Sequence, residues 1–310
     1  MPQSTNYNAI IPLVSPPRLK SYQSTFGANS DAELYCTYLW SQQAAGILYP
    51  LFQNAEVTLR NAVDSVAKSN YGDFWWNTIS CTPGPNKFLD NINKAKANLD
   101  REWRKKEAIR LGTRPRNVTS RPPNWSHDQI VAATDFSTWQ FILSNQFDDT
   151  HRTGGSDFLW PNLLGKVFRQ FNLISPDRRR ARIDLMNRID EIRNYRNRVF
   201  HHEPIWVRAP NVIDARTAID SVRNKINKIE TLIEVIDRRK LGLLKDAGVF
   251  LQARRICSLE ELNMHCGRVG AELSTSKQRR VIRKVLSKAS SGQTSVIKHN
   301  GNTYGLYRVR

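Results

Sequence analysis

From Asp31 to Lys68 the apolar residues return every three or four positions, and no segment before residue 290 alternates as a strand does. That periodicity makes the bulk of the chain a packed set of helices, an all-α fold. Leu48, Phe52, Leu59, Val63 and Val66 share one face of a long helix, with a kink expected at Pro50. Further helices are expected over residues 88–111, 126–147, 175–202 and 211–244. Phe136, Trp139, Phe141 and Leu143 are core candidates, as is the aromatic run Phe74-Trp75-Trp76. Pro83-Gly84-Pro85 and the polar stretch 148–157 read as breaks. No internal repeat of 20–50 residues is visible.

A chain of 310 residues is long enough to bury a core, and 40% hydrophobic with 24% charged residues is a globular composition. Lys plus Arg number 47 against 28 Asp plus Glu, a net +19. This excess excludes an acidic mimic and favours a polyanionic partner, nucleic acid before an anionic membrane. The longest apolar run, Ala44 to Phe52, is too short for a bilayer span, and the first residues lack a signal-peptide pattern. Cys36, Cys81, Cys257 and Cys266 form no C-x-x-C pair. Cys257, His265 and Cys266 cluster, but their spacing is poor for zinc. The expectation is a reduced cytoplasmic protein with no metal and no cofactor.

The charge is uneven. Residues 239–310 hold 15 basic and 4 acidic residues, while the first 238 hold 32 and 24. A second basic stretch, Arg101 to Arg121, includes Arg104, Lys105 and Lys106 and reads as a helix end followed by an exposed loop. Near the C-terminus, Ser258-Leu259-Glu260-Glu261 and Thr275-Ser276-Lys277-Gln278 are capping boxes, each opening a helix. The second helix sets Val281, Ile282, Val285 and Leu286 opposite Arg279, Arg280, Arg283, Lys284 and Lys288. Asn300-Gly301 between residues 296–299 and 304–309 signals a hairpin. Helix, turn, basic helix, hairpin is the order of a winged helix-turn-helix. The chain therefore divides into a helical domain, 1–245, and a small basic α+β, winged-helix-like module, 246–310. This module either binds nucleic acid or only packs on the main domain.

The helix from Ile183 carries an apolar stripe at Leu185, Ile189, Ile192 and Val199, and Arg196 falls in its middle. An arginine there needs an anion or several acceptors. The segment continues Arg196-Asn197-Arg198-Val199-Phe200-His201-His202-Glu203-Pro204. R-N-x-x-x-H at a helix end resembles the ribonuclease signature of HEPN domains, an all-α nucleotide-binding bundle. Together with Ser15-Pro16-Pro17-Arg18-Leu19 and the segment Leu51 to Asn61, it resembles bacterial abortive-infection proteins of the AbiD/AbiF type over about residues 10–240. The resemblance implies a metal-independent endoribonuclease toxin of an antiphage or toxin–antitoxin system. It also implies a homodimer with a composite site and an RNA antitoxin, a small non-coding RNA.

The residue types suit that chemistry. RNA supplies its own nucleophile, the 2′-hydroxyl, so cleavage needs a base, an acid and a cation on the phosphate. His201 has the pKa range for proton transfer. Arg196 offers phosphate a planar fork, and Asn197 orients His201 or holds a phosphate oxygen. Glu56 also falls on an inward stripe; it pairs either with Arg196, holding the guanidinium, or locally with Arg60. His202 reads as a neighbour of the site, and His127, His151, His265 and His299 as surface or structural residues. Two plainer readings stand beside this one. His201 and Arg196 are then structural groups, or the protein holds structured RNA without cutting it. A DNA-binding regulator would rest on the C-terminal module alone.

Overall fold

The computed structural model describes residues 6–149, 157–206, 209–266, 283, 287, 295–299 and 302–306. Over these the chain is predominantly helical, with one two-stranded sheet. No helix among the described residues is long and apolar enough to cross a membrane. The chain falls into two compact units, 41–258 and the two segments 1–40 with 259–310. The division expected at 245 instead lies one residue before a helix ends.

In the unit formed by 1–40 and 259–310, α1 (Tyr7–Val14) and α2 (Pro16–Phe26) lead into the start of α3 (Asp31–Tyr71). Ser30 accepts from the Glu33 N–H at 3.2 Å and so opens α3. Rings lock the N-terminal helices: Tyr22 meets Tyr38 edge-on at 5.5 Å and Phe26 meets Trp40 at 5.7 Å. α12 (Leu259–His265) belongs here, and the Thr37 hydroxyl lies 3.5 Å from the Cys266 sulfur. β1 (Ser295–His299) and β2 (Asn302–Leu306) pair antiparallel, with His299 opposite Asn302. That register leaves a two-residue connection, as the Asn300-Gly301 signal requires. The second helix of the expected module lies outside the described residues, apart from Arg283, which is exposed, and Ser287.

The unit 41–258 is built on the remainder of α3. Leu48, Phe52, Leu59 and Val63 are buried, and Ala44, Leu51, Ala55 and Ala67 complete the stripe. Burying a side chain the size of Leu or Phe contributes roughly 1.5–3 kcal/mol. Val66, expected on this face, is only half-buried. The helix continues through Pro50, which has no N–H for the carbonyl of Gly46 one turn earlier. Asn54 instead donates its side-chain amide to the Pro50 carbonyl at 2.8 Å.

α4 (Lys87–Arg110) packs on α5 (His127–Ala133) and α6 (Phe136–Phe141). The single helix expected over 126–147 is broken in two. Asp135 takes an extended conformation and accepts from the Thr138 N–H at 3.1 Å, so it starts a new helix. The Thr134 hydroxyl meanwhile accepts from the indole N–H of Trp139 at 2.9 Å. Phe136, Trp139 and Leu143 are buried as expected; Phe141 is half-exposed and Ile142 takes its place in the core. Trp75 and Trp76 are buried, Trp75 stacking on Phe88 at 5.5 Å.

After the short α7 (Leu164–Val167), α8 (Arg178–Phe200) begins at Asp177, whose carboxylate accepts from the Arg180 N–H at 2.6 Å. Near its start the buried Arg182 donates to Asp148, which is fully buried, at 2.8 Å; Arg179 reaches the same carboxylate at 3.4 Å. α6 and α9 (Ala215–Ile236) pack on α8. The helix expected over 211–244 is two helices, because Asp237 turns extended at the end of α9 and caps α10 (Arg238–Asp246). It accepts from the backbone N–H of Arg239 and Lys240, and its bond to the Arg239 side chain, with those backbone bonds, holds its carboxyl down at about 2. α11 (Val249–Ile256) packs back on α9 and α10.

Candidate functional site

One cleft of the 41–258 unit gathers the charged pair singled out by the sequence. It measures about 200 Å³, and Tyr49, Gln53, Glu56 and Val57 of α3 face Arg196 and Phe200 of α8 across it. Tyr49, Phe52, Gln53 and Glu56 stand at positions i, i+3, i+4 and i+7, so one helical face supplies the whole wall. Arg196 and Phe200 stand one turn apart on α8. The Arg196 guanidinium lies over the Phe200 ring, 4.8 Å from its centroid. Phe200 is held in turn by Tyr49 at 5.4 Å and Phe52 at 6.2 Å.

Arg196 sits 3.8 Å from the Glu56 carboxylate and donates to the Asn197 side chain at 3.2 Å. Its side chain retains 35% exposure, so it stands at the rim of the apolar stripe. Tyr195 takes the interior position expected of Arg196. Arg60, the other partner considered for Glu56, turns its Nε to the Asn61 side chain at 3.3 Å, and no ion pair joins it to Glu56. Burial pushes the Glu56 carboxyl above its ordinary value; Arg196 and then Arg60 pull it back, and Asp135 pushes it further up. Glu56 is thus a partly desolvated acid held beside a cation that keeps solvent access.

α8 ends in a tight turn that fixes its exit. The N–H of Glu203 donates to the Arg198 carbonyl at 3.0 Å and that of His202 to the Val199 carbonyl at 3.1 Å, which is a Schellman arrangement. His202 occupies the left-handed position, φ 59°, where glycine is usual. Arg198 pairs with Glu203 at 3.1 Å and donates to the Trp206 carbonyl at 3.4 Å, and Trp206 is buried. His201 is the last residue before the turn and is exposed, as is His202. Neither histidine lines the cleft.

No family model, curated protein or solved structure matches this chain.

Of the basic residues singled out by the sequence, Arg104, Lys105 and Lys106 do not line this cleft. Arg104, Lys105 and Lys106 are exposed on α4, with Lys105 paired to Glu102 at 2.7 Å. Arg279, Arg280, Lys284 and Lys288 lie outside the described residues, and Arg283 is exposed. His127 is structural and buried: it stacks on Trp76, accepts from the Phe74 N–H at 2.9 Å, and lies 2.9 Å from Asp64 through its other nitrogen. Cys257 is buried, and burial pushes its thiol up to about 12. Sequence reasoning missed Phe200, Tyr49 and Gln53. Their signal was present, since Phe200 is four residues after Arg196 and the α3 set shares the spacing that placed Glu56.

Proposed function

We propose that the protein is a metal-independent endoribonuclease. The observation that carries this reading is Arg196, held between the Glu56 carboxylate at 3.8 Å and the Phe200 ring at the mouth of a small cleft, five residues before the exposed His201. A guanidinium with solvent access at a cleft mouth suits a phosphodiester. Histidine at a helix end suits proton transfer near neutral pH. In this reading neutral His201 takes the proton of the RNA 2′-hydroxyl. The 2′-oxygen bonds to phosphorus as the bond to the 5′-oxygen breaks, and a protonated imidazole returns a proton to that oxygen. The products are a 2′,3′-cyclic phosphate and a 5′-hydroxyl.

The family that the chain resembles uses the motif as a pair, so this reading includes a homodimer with two sets of Arg196, Asn197 and His201. The resemblance to abortive-infection proteins adds the setting: a toxin of an antiphage or toxin–antitoxin system, acting in the cytoplasm and restrained by a small non-coding RNA. The exposure of His201, which does not line the cleft, favours a second reading, a structured-RNA-binding protein without cleavage. His201→Ala and Arg196→Ala decide between them. Under the ribonuclease reading both variants remain helical and lose roughly 10²–10⁴ in rate. Wild-type cleavage then persists in EDTA and leaves cyclic phosphate ends. RNA that is bound but never cut, by wild type and variants alike, supports the binding protein.

A further inference from the structure

A second cleft of the same unit, about 440 Å³, opens beside the first, and Val57 lines both. Its α3 wall is a polar stripe of Thr58, Asn61 and Ser65, at i, i+3 and i+7. Facing that stripe are three cations from other parts of the fold: Lys166 of α7, Arg169 just after it, and Lys240 of α10. The floor between them is aliphatic, from Ala62 and Val66 on one side to Val167 and Ile236 on the other.

The charge balance of this cleft is unusual. Asp237 is the one acid lining it, and its carboxylate is already committed to Arg239, to Arg169 at 2.8 Å and to two backbone N–H groups of α10. Arg169 uses one of its five N–H donors on that bond. Among the described residues the exposed Lys166 reaches only the side-chain oxygen of Asn70, at 3.3 Å. Among the described residues Lys240 has no ion pair, although its side chain is half-buried. The hydroxyls of Thr58 and Ser65 likewise have no side-chain hydrogen-bond partner there. Donors and positive charge therefore exceed acceptors, and the deficit is of an anion. An aliphatic floor in a cleft of ligand size calls for a flat or apolar body joined to that anion.

We infer that this cleft binds a nucleoside phosphate unit, with its phosphate on Lys166, Arg169 and Lys240 and its base or sugar over the aliphatic floor. The unit comes either from a free mononucleotide or from an RNA strand whose neighbouring phosphate lies at Arg196. The second source rests on the ribonuclease reading and the first does not.

Calorimetric titration of the full chain separates the sources. The probes are AMP and a 2′-O-methyl pentanucleotide, which lacks the nucleophile for cleavage. The variants are Lys240→Gln alone, the triple Lys166→Gln/Arg169→Gln/Lys240→Gln, and Arg196→Ala, each checked for helicity. Lys240→Gln breaks no described ion pair, so it keeps the test valid if the triple variant fails to fold. Removing one charge-assisted hydrogen bond to the phosphate is expected to weaken binding about tenfold or more. AMP binding weakened by the lysine and triple variants but not by Arg196→Ala assigns a free-mononucleotide site, whether or not RNA is ever cut. Pentanucleotide binding weakened by the cleft variants and also by Arg196→Ala assigns a strand path across both clefts. Wild-type binding of neither probe, or equal binding by wild type and cleft variants, overturns the inference.

Discussion

Arg196 and Glu56 stand 3.8 Å apart, close enough to attract strongly and too far for a hydrogen bond. A fully formed salt bridge would lower the carboxyl, yet burial prevails and raises it. A group whose folded pKa exceeds its unfolded value is stabilising when protonated. The native state keeps a proton that the unfolded chain releases, so stability falls as pH rises above 4.5 through the raised value. Glu56→Gln removes this titration. Its unfolding free energy, measured from pH 4 to pH 7, should decline less with pH than that of the wild type. Parallel curves would show that Glu56 does not titrate out of the ordinary.

His202 gives a second prediction. A side chain in the left-handed region costs roughly 1–2 kcal/mol relative to glycine. His202→Gly should therefore stabilise the protein by about 1 kcal/mol, which thermal unfolding reads as an upward shift of about 2 °C. Cleavage should be retained, because His201 is the proposed proton carrier. A drop in rate with unchanged stability would instead place His202 in the chemistry.

The buried pair at the start of α8 predicts a much larger change. Asp148→Ala leaves Arg182, only 5% exposed, with an uncompensated charge in the interior. Such changes cost about 3–5 kcal/mol. Urea unfolding should show that scale of destabilisation, against a small effect for Arg180→Ala, whose partner Asp184 lies on the exposed face.

The basic tail is tested by salt. Alanine at Arg279, Arg280, Arg283 and Lys284 should flatten the dependence of log RNA affinity on log salt by roughly 0.7–0.9 for each phosphate no longer neutralised. Cleavage of a short saturating RNA should persist. An unaltered salt slope would mean that these charges serve only the packing of the tail.

Helical periodicity and caps made most of the fold legible. α8 was readable from Asp177 and the run Leu185, Ile189, Ile192 and Val199, because apolar burial and capping agree there. The breaks at Asp135 and Asp237 were not. Both residues sit inside patterns that continue apolar on either side, and each stops a helix by turning its carboxylate onto backbone N–H groups beyond it. Periodicity does not register that competition. At the cleft, spacing placed Glu56 and Arg196 near each other but set Arg196 too deep. Arg196 instead keeps its guanidinium at the rim, over the Phe200 ring and with 35% of the side chain exposed, because a charged head is costly to bury. The surroundings of His201 were out of reach, since the helical rule ends where the helix does.

Pro50 has a mechanical consequence for the cleft. The turn of α3 from Gly46 to Pro50 lacks one backbone hydrogen bond and pairs the two residues least suited to a helix interior. Tyr49, on that turn, and Phe52 and Gln53, directly after it, form one end of the α3 wall of the cleft, with Glu56 and Val57 beyond them. The opposite wall, on α8, ends in a turn closed by two carbonyl bonds and anchored through Arg198 and the buried Trp206. The α3 side of the cleft thus lies next to a turn short of one backbone hydrogen bond, and the α8 side next to one that is fully bonded. A guest larger than the cleft is therefore expected to displace the α3 side before the α8 side.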